Sequence, residues 1–160
     1  MIRLGKLTDY GLVLMSCIVQ DGSQDLHTAR DLALQSGLPL PTVSKLLKVL
    51  LQHGFLISHR GTKGGYSLAR EPHDISIAEI ITALEGPIAL TDCSSDTSGL
   101  CDFEPSCPIK TNQRVISQVV RGALEKLTLY DLAHPLQLIA IKDARGKLVP
   151  SIAVTSGRMQ

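Results

Sequence analysis

Apolar positions recur with helical spacing in successive stretches of the chain. The first, 8–20, opens on Thr8 as a cap with Asp9 in the positive first turn. Leu12, Leu14, Met15, Cys17, Ile18 and Val19 follow as an apolar stripe that stops at Asp21-Gly22. Thr28-Ala29-Arg30-Asp31, a cap with an acid three residues on, opens a short second helix through Leu32-Ala33-Leu34 that ends at Gly37. The clearest periodicity comes after Leu38-Pro39-Leu40-Pro41. Val43, Leu46, Leu47, Leu50 and Leu51 fall at i, i+3, i+4, i+7 and i+8, with Gly54 as the stop, while Thr42, Ser44, Lys45, Lys48 and Gln52 make the other face.

Two helices joined by a tight Gly-Leu-Pro connection, the second cationic and hydroxyl-bearing on its outer face, meet the requirements of a helix-turn-helix. Residues 55–60 then read as a strand, Gly61-Thr62-Lys63-Gly64-Gly65 as a glycine-rich turn and 66–70 as the returning strand. A basic hairpin directly after a recognition helix is a wing. Arg60 and Lys63 at its tip suit the minor groove or the flanking phosphates of duplex DNA, against the plainer reading of Lys63 as part of a solvated surface turn. In the helix 41–53, Thr42, Ser44, Lys45 and Lys48 are the residues placed to touch bases or phosphates in the major groove.

Ser76-Ile77-Ala78-Glu79 is a capping box for a helix reaching Leu84, closed by Glu85-Gly86-Pro87. The periodicity then lapses over 88–106. It resumes in a long helix with Pro108 in its first turn and Ile109, Val115, Ile116, Val119, Val120, Ala123, Leu124 and Leu127 in one stripe, about 20 residues or roughly 30 Å. So much apolar surface exceeds what a small winged domain covers, which favours packing against a second copy over folding back on its own domain. Beyond Ala133, 136–141 and 148–154 can pair as strands, with Pro150 demoting them to an edge hairpin or a disordered tail. The fold expected is mainly α: a winged helix-turn-helix with a β-hairpin wing (1–87), a cysteine loop (88–107), a dimerisation helix (108–133) and a tail (134–160).

Composition adds three points. Within 160 residues the net charge of +1 conceals a basic block at 1–70 (8 Lys/Arg against 4 Asp/Glu), an acidic one at 71–104 (none against 8) and a basic one at 105–160 (8 against 3). Such asymmetry points to a polyanion partner. Aromatics are 3% with no Trp, which disfavours single-strand binding on stacked aromatic platforms. No apolar run reaches the roughly 18 residues of a membrane span and no signal-peptide block opens the chain, so a cytoplasmic location is expected.

Of four cysteines, Cys93, Cys101 and Cys107 lie in the irregular stretch, spaced Cys-x7-Cys-x5-Cys, whereas Cys17 sits in an apolar helix as a core residue. Structural zinc sites favour short chelating knuckles and four ligands, so the spacing argues against zinc without excluding it. Three widely spaced thiols suit an iron–sulfur cluster with one position left to a non-thiolate ligand, where a signal molecule can enter. A disulfide switch and three unligated thiols are the alternatives. Asp92, Asp96, Asp102 and Glu104 surround the thiols and disfavour an anionic cluster unless the fold offsets them. A cysteine-nucleophile enzyme is disfavoured because no His lies in the loop.

Leu7-Thr8-Asp9-Tyr10-Gly11-Leu12, Arg60-Gly61-Thr62-Lys63-Gly64-Gly65-Tyr66-Ser67-Leu68-Ala69-Arg70, Ile77-Ala78-Glu79-Ile80-Ile81, Leu84-Glu85-Gly86-Pro87 and the three-cysteine loop together resemble the IscR/NsrR family of winged-helix bacterial regulators, over about 1–133. The resemblance implies a homodimeric transcription factor with one iron–sulfur cluster per subunit on Cys93, Cys101 and Cys107. It looks like the members encoded with the SUF assembly machinery, implying a repressor of cluster-assembly genes. A nitric-oxide or redox-sensing repressor of the same fold and a zinc-stabilised interaction module are the alternatives. IscR-like members carry a His ligand three residues after the last cysteine, where this chain has Lys110. NsrR-like members use an Asp near the start of the first helix of the other subunit, which Asp9 matches. The resemblance therefore implies Asp9 as fourth ligand and favours a four-iron over a two-iron cluster. The competing role for Asp9 is a first-turn acid complementing the helix dipole.

Overall fold

The computed structural model describes residues 3–22, 25–94 and 101–153. Asp96 of the cysteine loop lies outside them. Helix α1 spans Lys6–Gly22, α2 Ala29–Ser36 and α3 Leu40–Gln52. Strands β1 (Leu56–His59) and β2 (Gly65–Leu68) pair antiparallel, with Leu56 opposite Leu68 and His59 opposite Gly65. Helix α4 covers Ile77–Glu85, α5 Lys110–Glu125 and α6 Leu129–Ala133, and β3 (Gln137–Lys142) pairs antiparallel with β4 (Leu148–Ala153).

One core holds the winged domain together. Leu14, Met15 and Ile18 of α1, Leu32 of α2, Val43, Leu46, Leu47 and Leu50 of α3, Ile80 of α4 and Leu129 of α6 are all fully buried. These positions repeat every three or four residues, so each helix presents one apolar stripe inward. The caps fall where the sequence marks them. The Thr28 hydroxyl accepts from Asp31 N–H and Gly37 closes α2 at φ 69°, while Ser76 and Glu79 form a reciprocal capping box on α4. Thr8 departs from expectation. The helix begins two residues earlier, at Lys6, so Thr8 is 1% exposed inside it and caps nothing. Instead the Gly5 N–H donates to the Glu85 carboxylate at 3.1 and 3.2 Å, pinning the start of α1 to the end of α4.

The wing is tied back to the body. His27 N–H donates to Tyr66 C=O at 2.9 Å and Tyr66 N–H to His27 C=O at 2.8 Å, adding one bridge to the hairpin's outer edge. A side chain at Gly65 would meet that His27 backbone at 2.9 Å, and one at Gly64 would meet His59 O at 2.5 Å, so the Gly-Gly pair is required by close backbone approach.

The long helix is shorter than expected. It starts at Lys110, after Pro108, and ends at Glu125. Thr128 then caps a separate helix in a capping box with Asp131, and Leu129 enters the winged-domain core. Residues 129–133 therefore belong to the body: Gln20 Nε2 donates to Ala133 C=O at 3.0 Å, and Leu129 N–H donates to Ile75 C=O at 2.8 Å. The described part of the tail forms a hairpin over 137–153, with Pro150 opposite Ala140 in a two-stranded sheet where both strands are edges.

Candidate DNA-binding surface and cysteine loop

Helix α3 buries Val43, Leu46, Leu47 and Leu50 and turns Pro41, Ser44, Lys45, Lys48 and Gln52 outward; Thr42 is half-buried at its first turn. Arg60 and Lys63 are exposed at the wing tip, where Gly61 takes φ 120° to reverse the chain. The hairpin follows α3 after a three-residue connection, 53–55, in which Phe55 N–H donates to Leu50 C=O at 3.0 Å. Both cationic elements are thus rigidly related. Arg70, which the sequence pattern did not single out, sets the wing base: its guanidinium lies 5.8 Å from the Phe55 ring centroid and pairs with Glu79 at 3.0 Å. Glu79 is itself held below the ordinary carboxylate range. Partial burial works against ionisation, but hydrogen bonds from Ser76 N–H, Arg70 and the Ser76 hydroxyl, with the Arg70 charge, outweigh it.

The three loop cysteines are free thiols in the segment that leads into α5. Cys93 is buried in a 3-10 turn, Asp92–Ser94, with Sγ 3.4 Å from Thr91 Oγ1. That turn is fastened to α5 twice. Arg114 Nε donates to Cys93 C=O at 3.3 Å, and Ser117 Oγ donates to Ser94 Oγ at 2.9 Å. Cys101 and Cys107 are half-buried on either side of a second 3-10 turn, Glu104–Ser106, and Lys110 N–H donates to Cys107 C=O at 3.4 Å. Cys17 is a core residue, as its apolar helix suggests. Burial, and then the Asp21 charge, push its thiol pKa up.

Lys110 has a definite partner. Its Nζ lies 2.9 Å from Oε1 of Glu104, a side chain only 10% exposed, and Arg114 Nη2 approaches the same oxygen at 3.7 Å. Among the described acids of the loop the buried one, Glu104, is therefore countered by two cations from α5, while Asp92 and Asp102 are exposed. Asp9 is exposed in the first turn of α1, which packs on α2, α3, α4 and α6, whereas the Cys93 turn packs on α5. Among the described residues no three His, Cys, Asp or Glu side chains are gathered as a metal site. The donors suit an iron–sulfur cluster in kind, being three free thiols, but the fold of one chain does not bring Cys93, Cys101, Cys107 and Asp9 together.

The outer side of α5 is apolar. Val115, Ile116 and Val119 are 52%, 48% and 67% exposed, while buried Ser117 faces the chain's own domain. Val119, Ala123 and Leu127 line a groove of about 630 Å³ with Ile152 of β4 on its far wall.

A helix-turn-helix with a glycine-tipped wing and a helix of exposed apolar face define a DNA-binding transcriptional regulator of the winged-helix class. The chain belongs to the Rrf2 family, described as an iron-dependent transcriptional regulator, which matches residues 4–135. It is similar to the transcriptional repressor NsrR of Streptomyces coelicolor, 29% identical over 133 residues, covering 82% of this chain and 88% of that one. Among solved structures it is similar to CymR, the global cysteine regulator of Bacillus subtilis, with a TM-score of 0.66 and 30% identity, covering 83% of this chain and 97% of the other. It is similar also to IscR of T. potens, with a TM-score of 0.64 and 28% identity, covering 82% and 85%. Among the described residues no helix is long and apolar enough to cross a membrane.

Proposed function

We propose that the protein is a homodimeric repressor that senses an iron–sulfur cluster held by Cys93, Cys101 and Cys107 and controls SUF-type cluster-assembly genes. What supports this reading is the set of three free thiols in the segment leading into α5, with the buried Glu104 between Cys101 and Cys107 countered in charge by Lys110 and Arg114, and the exposed apolar face of α5. When bound, the cluster supplies a redox-labile and nitric-oxide-reactive group with one iron open to a weaker ligand. Lys110, engaged with Glu104, is not that ligand. Asp9 of the partner subunit takes the role, with a four-iron cluster favoured over a two-iron one, because the cysteine turn and α1 of one chain are separate. The apolar outer face of α5 seats a second copy's α5 in the groove beside β4, an isologous contact. Loss of the cluster then alters the spacing of the two α3 helices, which read successive major grooves through Thr42, Ser44, Lys45 and Lys48 while Arg60 and Lys63 hold flanking phosphates.

Anaerobic purification with iron and sulfide quantified, before and after Cys101→Ser, tests the reading. A brown protein whose visible absorption vanishes in the variant is expected; a colourless wild type holding stoichiometric zinc overturns it.

A second reading has a specific observation behind it. Cys101 and Cys107 are half-buried free thiols, and among the described residues no three metal-ligating side chains are gathered, which suits a thiol switch without a cluster. A colourless, metal-free protein whose DNA affinity falls on reversible thiol oxidation distinguishes it.

A further inference from the structure

The polar side of α5 does more than dock on its own domain. Between it and the segment leaving α4 lies a cavity of about 300 Å³, the small end of ligand-site volumes. Pro87 and Ile88 form one wall, and Arg114, Gln118 and Arg121 project from α5 to form the other. The floor is hydroxylic and closed: Ser117 Oγ accepts from Leu90 N–H and donates to Ser94 Oγ, which in turn donates to Thr91 C=O at 2.8 Å. The floor groups are therefore satisfied among themselves, and the unspent donors are on the α5 wall.

Arg121 uses Nε on Glu125 at 2.8 Å, and Arg114 uses Nε on Cys93 C=O. Among the described residues the two Nη groups of Arg121, Nη1 of Arg114 and the Gln118 carboxamide make no hydrogen bond. Each arginine has one carboxylate partner, which leaves part of its fork unused. Glu125 takes only Nε of Arg121, and Glu104 meets Arg114 through Nη2 at 3.7 Å while pairing more closely with Lys110, at 2.9 Å. Arg114 and Arg121 are seven residues apart on one face, with an axial separation of about 10.5 Å, and Gln118 lies between them. Two guanidinium forks flanking an amide in a half-sheltered cavity match an anion with charge at two places.

The geometry points to a binding site for a small dianion, a dicarboxylate or a phosphate-bearing metabolite, held by Arg114, Gln118 and Arg121. The site needs neither cluster nor DNA, so its fate is separable from the proposed regulatory role. It adjoins that role through one side chain. Arg114 also holds the Cys93 carbonyl and faces Glu104, so an anion competing for its guanidinium acts on the cysteine turn directly.

Calorimetric titration of the full chain with malonate and with inorganic phosphate, at constant ionic strength, tests this. One saturable site per chain is expected for at least one probe, the better one telling planar carboxylates from a tetrahedral oxyanion. Arg121→Gln should weaken it at least tenfold and Gln118→Ala several-fold, with helical circular dichroism unchanged, while Lys126→Gln, outside the cavity, should leave it intact. Absence of saturable binding for both probes, or equal affinity in Arg121→Gln and the wild type, overturns the assignment.

Discussion

Replacing Val119 with Asp tests the α5 contact where it is most open. The side chain is 67% exposed in one chain and touches the groove beside β4, so its own fold loses little when it changes. Fully burying a valine is worth roughly 1.5–3 kcal/mol, so two-thirds of a mid-range value is about 1.5 kcal/mol. A two-fold interface contains the residue twice, giving about 3 kcal/mol, or roughly a hundredfold in the dimer dissociation constant. Two carboxylates brought together in the same place can only add to that. Sedimentation velocity over a concentration series reads the constant, and thermal melting followed by circular dichroism at a concentration where both proteins are monomeric checks the fold. A Val119→Asp protein with wild-type dimer affinity, or a wild type that stays monomeric at high micromolar concentration, refutes the assignment of this face.

Lys48→Ala and Lys63→Ala should each reduce the slope of log affinity against log salt by about 0.9 if each meets one phosphate, with little change in sequence preference; fluorescence anisotropy on duplex DNA at several salt concentrations measures it. Glu79 has its pKa lowered on folding, so its contribution to stability is present above the ordinary carboxylate range and is lost as pH falls through that range toward the folded value. Glu79→Gln should accordingly show a shallower loss of stability below about pH 5 than the wild type in urea titrations across pH. The buried Cys17, its thiol pushed up in pKa, should react with iodoacetamide more slowly than Cys101 and Cys107 in the cluster-free protein, as peptide mass spectrometry over time reports.

What was legible in the chain was whatever a local pattern dictates. The α3 stripe, the caps at Thr28 and Ser76 and the wing's Gly-Gly pair each follow from spacing or backbone conformation, and each stands where the pattern puts it. Thr8 looks like a cap because its hydroxyl precedes an apolar run, while the true start at Lys6 is fixed by Gly5 reaching Glu85, eighty residues on. The break between α5 and α6 did carry a signal, Thr128 with Asp131 three residues later, but Leu127 and Leu129 continue the apolar run and hide it. The partners of Glu104, the anchoring of the cysteine turn on Ser117 and the cavity beside Arg121 depend on which face of α5 docks. The α5 stripe predicted an apolar face; that Ser117 rather than a valine would be its most buried residue follows only from tertiary packing.

In the proposed mechanism, cluster occupancy at Cys93, Cys101 and Cys107 sets DNA binding. The direct measurement is operator affinity of one anaerobic preparation, with iron and sulfide quantified, before and after the cluster is removed by chelation. About four irons and four sulfides per chain are expected, for the four-iron cluster, with an affinity that changes at least tenfold on removal. Equal affinity of the loaded and stripped proteins, or iron and sulfide far below one per chain, contradicts it.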